Sequence, residues 1–203
     1  PYRAVVHCEA DYDQRLGRSE YQGEPTCAAA NMIAGIQGCV YGCLGFGDCD
    51  ISCDYDAIEM VNGLPVIDYE KCTGCSACAR ACPRNIITMV PLKTEKMLVV
   101  GCSNKDFGKD VSAVCEVGCI GCKACAKAND LLQIVDNLAV VDYELYEPAE
   151  VDFDQAIEKC PRESLVFVGI PSDEDRAAVA GEELPERIEA DFKTTVDETE
   201  WWG

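Results

Sequence analysis

The sequence predicts an α+β fold of two tandem modules, each made of short antiparallel strands and short cysteine-bearing helices. Three observations carry that expectation. Cysteine accounts for 16 of the 203 residues. The segment 72–83 spaces four of them as C-x2-C-x2-C-x3-C-P. A strand–turn–strand pattern and a Cys-Pro-Arg triplet each occur twice, in the same order. Cysteine at about 8% marks a disulfide scaffold or a metal protein. No cationic stretch leads into an apolar one at the start of the chain, so nothing signals secretion, and a reducing cytoplasm keeps such thiols free for metal. Because the sequence opens on Pro1, either an initiator Met was removed or more sequence lay upstream. The 37 acidic and 17 basic side chains leave a net charge of −20, which argues against nucleic acid or an anionic membrane as partner. No apolar run approaches the roughly 18 residues of a membrane span, so no transmembrane segment is expected.

In the first module, Cys72, Cys75 and Cys78 place three thiolates on one tight loop, where they cap three corners of an iron–sulfur cubane. Gly74 lets the backbone come close, and Cys82, ahead of Pro83, points away to the neighbouring cluster, as in bacterial-type ferredoxins. A zinc ribbon wants two separated C-x2-C pairs and no Cys-Pro ending. Upstream, Cys39, Cys43, Cys49 and Cys53 follow one another at irregular spacing, with Phe46 where a ferredoxin has its middle cysteine. Cys39 is the nearest substitute and Cys27 its competitor. One 4Fe–4S cluster is therefore assigned to Cys39, Cys43, Cys49 and Cys82, and a second to Cys53, Cys72, Cys75 and Cys78. Both fall in a ferredoxin-like module over 1–91, with 1–38 as a lead-in of strand, loop and helix.

The second module, 92–170, copies the first. Residues 131–144 repeat the hairpin of 58–70, and Cys160-Pro161-Arg162 repeats Cys82-Pro83-Arg84. Cys119, Cys122 and Cys125 supply a triad, but Asn129 stands where the next cysteine belongs, and Tyr146 to Glu150 replace the copy's own C-x2-C-x2-C. Under exchanged ligation the missing thiols all belong to one cluster, whereas Cys119, Cys122, Cys125 and Cys160 belong to the other. The module therefore keeps one complete cubane. The spacing Cys115-x3-Cys119-x2-Cys122 also fits a radical-SAM enzyme, but that needs a barrel longer than this chain. Cys8, Cys27, Cys102 and Cys115 remain. They are buried free thiols, ligands of a fourth cubane built across the two repeats, or partners in a disulfide or labile ligation. The cofactors expected are three 4Fe–4S clusters, or four.

Elsewhere the chain offers little chemistry. Pro25 and Gly38 frame a helix from Cys27, and 11–23 reads as an exposed polar loop holding Arg15, Arg18 and Tyr21. His7, the only histidine, sits in an apolar strand as core or filler. With no glycine-rich phosphate loop and no acid–base set, there is no nucleotide site and no catalytic residue. Eight basic side chains between Arg80 and Lys127, against four acidic ones, offset the negative clusters beside them or form a docking patch for an acidic carrier. The acidic tail, 171–203, carries a short helix start at Ser172 and ends in Trp201 and Trp202, a pair suited to anchoring on a partner protein.

The segments His7-Cys8, Cys27-Ala-Ala-Ala, Cys39-Val-Tyr-Gly-Cys43-Leu-Gly-Phe-Gly-Asp-Cys49 and Cys115-Glu-Val-Gly-Cys119-Ile-Gly-Cys122-Lys-Ala-Cys125 closely resemble the soluble iron–sulfur part of the B subunit of Rnf complexes, over about residues 3–170. The resemblance implies a polyferredoxin of anaerobic metabolism, working in a redox-driven ion pump of the cytoplasmic membrane that moves electrons between reduced ferredoxin and NAD. The chain would be the first relay, passing single low-potential electrons from a ferredoxin-type donor to flavoprotein or iron–sulfur subunits, with no substrate site of its own. It would lie in the cytoplasm or at the cytoplasmic face of the membrane, held by those subunits. Three departures stand out: the family's membrane anchor and the cysteine-rich segment after it do not precede Pro1, the last ferredoxin cluster is lost, and Asp54 replaces the proline after Cys53. They leave two alternatives open, a relay subunit of another soluble dehydrogenase, reductase or hydrogenase complex, and a non-redox metal scaffold.

Overall fold

The computed structural model describes residues 2–146 and 152–170; the acidic tail with Trp201 and Trp202 lies outside them. Each half of the chain opens on an apolar strand and closes on its partner. β1 (Tyr2–Val6) pairs antiparallel with β4 (Ile87–Pro91), setting Tyr2 opposite Pro91 and Val6 opposite Ile87. β5 (Lys96–Val100) pairs in the same way with β8 (Leu165–Gly169), with Val100 opposite Leu165. Between the outer strands lie α1 (Cys27–Asn31), α2 (Asp48–Ile51), the hairpin β2 (Ile58–Val61) and β3 (Leu64–Ile67), and α3 (Ala77–Ala81) in the first half. The second half holds α4 (Gly108–Val114), α5 (Ala124–Ala128), the hairpin β6 (Leu132–Val135) and β7 (Leu138–Val141), and α6 (Asp154–Glu158). The described residues are thus α+β, with four two-stranded antiparallel sheets.

The two halves repeat each other in detail. The hairpins turn on Asn62-Gly63, with φ of 45° and 78°, and on Asp136-Asn137, with φ of 50° and 64°. Such left-handed pairs suit tight hairpins because their twist matches that of the strands. After each hairpin an aspartate folds the chain back. Asp68 Oδ1 accepts from Glu70 N and Lys71 N, while Asp142 Oδ1 accepts from Glu144 N and Leu145 N. This equivalence puts Tyr146 at the position of Cys72. Tyr146 is 3% exposed, and its ring stacks on that of Phe153 with centroids 5.5 Å apart. Asn129, at another of the vacated cysteine positions, donates from Nδ2 to Asp152 O and accepts at Oδ1 from Leu131 N. Aromatic packing and an amide bridge thus occupy the places where the first half has thiols.

The halves are knit along one seam. Glu9 N donates to Gly101 O, Leu16 N to Val114 O and Glu116 N to Gln14 O. His7 Nδ1 lies 2.8 Å from Val100 O and Nε2 2.7 Å from Thr88 Oγ1. Burial lowers the pKa of His7 despite the Val100 carbonyl, so the neutral ring acts as a strut between β4 and β5.

Two local expectations need correction. The helix from Cys27 stops at Asn31 and does not run to Gly38. Met32 is 87% exposed and Ile33 is half exposed, so no apolar face continues past the first turn to hold a longer helix. The segment 11–23 is not wholly an exposed loop. Arg15 is 8% exposed, donates to Cys43 O and, at 3.1 Å, to Gly63 O, and lies 4.7 Å from the centroid of the Tyr12 ring. One buried guanidinium clasps this segment to the Cys43 loop and to the β2–β3 turn.

Candidate metal centre

The cysteines gather at cavities, and the local backbone explains how. In both halves a left-handed glycine precedes the middle cysteine of the triad, Gly74 with φ 77° and Gly121 with φ 62°, and a left-handed residue follows it, Ser76 and Lys123. This bend turns successive side chains inward. A Cβ on Gly74 would run into the carbonyl oxygen of Tyr2, and one on Gly121 into that of Asn137. Glycine is required there both for its φ and for the close approach of β1 or the β6–β7 turn.

Cys53, Cys72, Cys75 and Cys78 line one cavity, with Ala4, Tyr55 and Met89 around them. Cys82, four residues beyond Cys78, faces a different cavity, shared with Cys27, Cys43 and Cys49. In the second half Cys125 is flanked by Cys119, Cys160 and Cys122, whose charges oppose its ionisation after that of burial itself. Cys75 and Cys122, the middle residues of the two triads, are exposed; the rest are buried or half-buried.

One placement departs from the sequence reading: Cys27, not Cys39, joins Cys43, Cys49 and Cys82. The cause is Asp48. Its carboxylate accepts from Cys27 N at 2.7 Å and from Ala28 N at 3.0 Å, pinning the start of α1 to the start of α2. Thr26 Oγ1 caps the same helix through Ala29 N. Cys39 is turned elsewhere by Gln37, whose Nε2 donates to Cys39 O and Gly42 O. Its thiol lies in a cavity of the seam with Cys8, Cys102 and Cys115. Sequence reasoning did not find the parts played by Arg15, Gln37, Asp48 and Asn104, whose Nδ2 donates to Cys39 Sγ; Gln37 acts locally and the other three reach partners 20 to 65 residues away. Their only sequence signal is a polar side chain beside a cysteine-rich stretch.

Electrostatics set these thiols apart from ordinary surface cysteine. Burial pushes Cys43 up to about 12, with Cys8 adding to the shift and the Arg15 guanidinium opposing it. Burial also raises Cys49, and the neighbouring Cys43, Cys27 and Cys82 add to it. Backbone amides work the other way: that of Gly45 at Cys43, Asp50 at Cys49 and Ala79 at Cys78. Arg84 lines the cavity of Cys27, Cys43, Cys49 and Cys82, and its buried Nε has no hydrogen-bond partner among the described residues. Such a pocket, with thiols around one cavity, amides aimed at sulfur and a buried guanidinium beside them, suits a soft metal group that takes thiolate and carries negative charge. Among the described residues no three His, Cys, Asp or Glu side chains converge tightly enough to hold a metal ion. The thiols stand around open space instead.

Residues 65–88 match the family of 4Fe–4S binding domains, the stretch from β3 through Cys72, Cys75, Cys78 and Cys82 to β4. The protein is therefore an iron–sulfur protein of the ferredoxin type. Over most of its length it is a relative of the B subunits of ion-translocating ferredoxin:NAD oxidoreductases, the Rnf complexes. It is 41% identical over 163 residues to the B subunit of the Na(+)-translocating ferredoxin:NAD(+) oxidoreductase complex of Acetobacterium woodii, covering 78% of this chain and 47% of that protein. It is 41% identical over 142 residues to the B subunit of the ion-translocating oxidoreductase complex of Methanosarcina acetivorans, 68% of this chain and 50% of that one. To the B subunit of the proton-translocating ferredoxin:NAD(+) oxidoreductase complex of Clostridium ljungdahlii it is 38% identical over 165 residues, 79% and 57% of the two chains. The chain spans about half the length of these curated relatives. No helix among the described residues is long and apolar enough to cross a membrane.

Proposed function

We propose that this chain relays single low-potential electrons from a ferredoxin-type donor to a redox partner subunit of an Rnf-like complex at the cytoplasmic face of the membrane. The observation that carries the reading is the parting of Cys82 from Cys78: the triad and the cysteine after it face separate cavities, the exchange of last ligands by which ferredoxins hold two cubanes side by side. Two ferredoxin-like modules, 1–91 and 92–170, hold the clusters, with 171–203 as an acidic tail. Cys27, Cys43, Cys49 and Cys82 hold one 4Fe–4S cluster, and Cys53, Cys72, Cys75 and Cys78 a second. Cys119, Cys122, Cys125 and Cys160 hold a third. A 4Fe–4S cluster bound in such a set supplies reversible one-electron storage. The protein's own part is to keep water away, to aim amide N–H groups at sulfur, and to bring one thiol of each exposed triad, Cys75 or Cys122, to the surface.

The test is Cys160→Ala in the chain prepared without oxygen. The variant loses the paramagnetic signal of one dithionite-reduced cluster and about four irons, while the two clusters of the first module keep theirs. Loss of first-module signals, or a colourless zinc protein, contradicts the reading.

A further inference from the structure

We propose that Cys8, Cys39, Cys102 and Cys115 hold a fourth 4Fe–4S cluster in the seam between the two halves, and that it joins their electron paths into one wire. The inference rests on the reading of the other three sets as cluster sites. All four thiols are buried and line one cavity.

The set has an internal symmetry that buried free thiols would not require. Cys8 and Cys102 each stand two residues past an outer strand, β1 and β5. Cys39 and Cys115 each open a C-x2-G-C segment, Cys39 to Cys43 and Cys115 to Cys119. The glycines of these segments, Gly42 and Gly118, lie where a Cβ would come 3.5 Å from Cys39 Sγ and 3.3 Å from Cys115 Sγ. Each half thus contributes one strand-end cysteine and one loop cysteine. Arg162 fixes the second loop by donating to Cys115 O and Gly118 O.

Donors surround the sulfurs as they do in the other sets. Asn104, 1% exposed, donates from Nδ2 to Cys39 Sγ at 3.3 Å and from its backbone N to Cys102 Sγ at 3.4 Å. The amides of Val117 and Gly118 face Cys115. The site also touches both neighbours through single hydrogen bonds. Cys43 N donates to Cys8 Sγ at 3.5 Å, and the amide of Cys119 faces Cys102 Sγ. A ligand of a first-module cluster and a ligand of the second-module cluster are thereby each one hydrogen bond from a seam thiol. Every step along this path moves one electron from a reduced cluster to an oxidised neighbour; no bond forms or breaks and no proton moves.

The test begins with iron and acid-labile sulfide counted in the intact chain assembled without oxygen. About 16 of each per chain are expected, against about 12 without the seam cluster. The double variant Cys8→Ser/Cys102→Ser loses about four irons and keeps the other three signals. Asn104→Leu, which keeps all four thiols but removes the N–H given to Cys39 Sγ, shifts the midpoint potential of one cluster downward and leaves three unmoved, because such hydrogen bonds stabilise the reduced state. About 12 irons with three intact signals, or an Asn104 variant with no potential moved, overturns the seam cluster and leaves the relay standing. A chain holding zinc instead overturns both.

Discussion

Cys27 reaches its cavity through a carboxylate 21 residues away in sequence: Asp48 grips the amides of Cys27 and Ala28. A helix amino terminus that loses such an acceptor is weakened by roughly 0.5–2 kcal/mol. Asp48→Ala is therefore expected to destabilise the chain by about that amount in urea unfolding. It is also expected to speed iron loss from the Cys27, Cys43, Cys49 and Cys82 set while the Cys72 triad keeps its cluster. Equal loss from both sets would show that Asp48 acts on the fold and not on the position of Cys27. The thiol triads are legible in the sequence because their ligands lie within one turn and a glycine marks the bend. The choice between Cys27 and Cys39 is not, because the hydrogen bonds that Asp48 accepts and Gln37 donates, which no spacing rule contains, decide it. Arg15 escapes the sequence for the same reason: its polarity suggests solvent, but its partners come from distant loops as well as from Tyr12 beside it.

At the scale of elements, the hairpins are readable from their turn residues and from the repeat, whereas the short α1 and the added α4 are not. Helices of 5 and 7 residues give too little periodicity to distinguish a helical turn from a loop. On the proposed reading, the repeat has lost one cluster site without leaving a hole. Tyr146 and Phe153 stack in the second half where the first has a thiol loop, so Phe153→Ala opens a cavity in a dry core. The expected cost is ~3–5 kcal/mol, read as a lowered urea midpoint. A cost below about 1 kcal/mol would mean that the pair is not packed as described. The left-handed glycines differ in what surrounds them. Gly35, with φ 85°, has no neighbour within 4 Å, whereas Gly74 lies against the Tyr2 carbonyl. Gly35→Ala should cost about 1–2 kcal/mol in backbone strain alone. Gly74→Ala should cost more and release iron from the Cys72 triad. Equal penalties would remove the argument that β1 presses on this loop.

For the whole molecule, the net charge of −20 sets the terms of association. Positive charge is placed locally, with Arg84 facing a cysteine cavity and Lys105 paired to Asp136 at 3.3 Å. In the proposed relay an acidic ferredoxin docks near Cys75 or Cys122, the exposed thiols of the two triads, and the rate of reduction is expected to rise with ionic strength as like-charge repulsion is screened. A rate that falls steeply with salt in stopped-flow mixing would point to a basic docking patch instead. The α+β class and the thiol loops are visible in the sequence because each is local. The way two halves share one seam is not, because it depends on β4 and β5 meeting through His7 and on loops from opposite halves of the chain lying side by side.

The central claim is that distant loops share their cluster ligands. Diffraction at the iron absorption edge, from crystals of the chain grown without oxygen, tests it most directly. The account predicts iron at the cavity of Cys27, Cys43, Cys49 and Cys82 and separate iron at that of Cys53, Cys72, Cys75 and Cys78, with Cys82 bound to the first and Cys53 to the second. Iron bound by Cys72, Cys75, Cys78 and Cys82 together, or a zinc signal in its place, would contradict it.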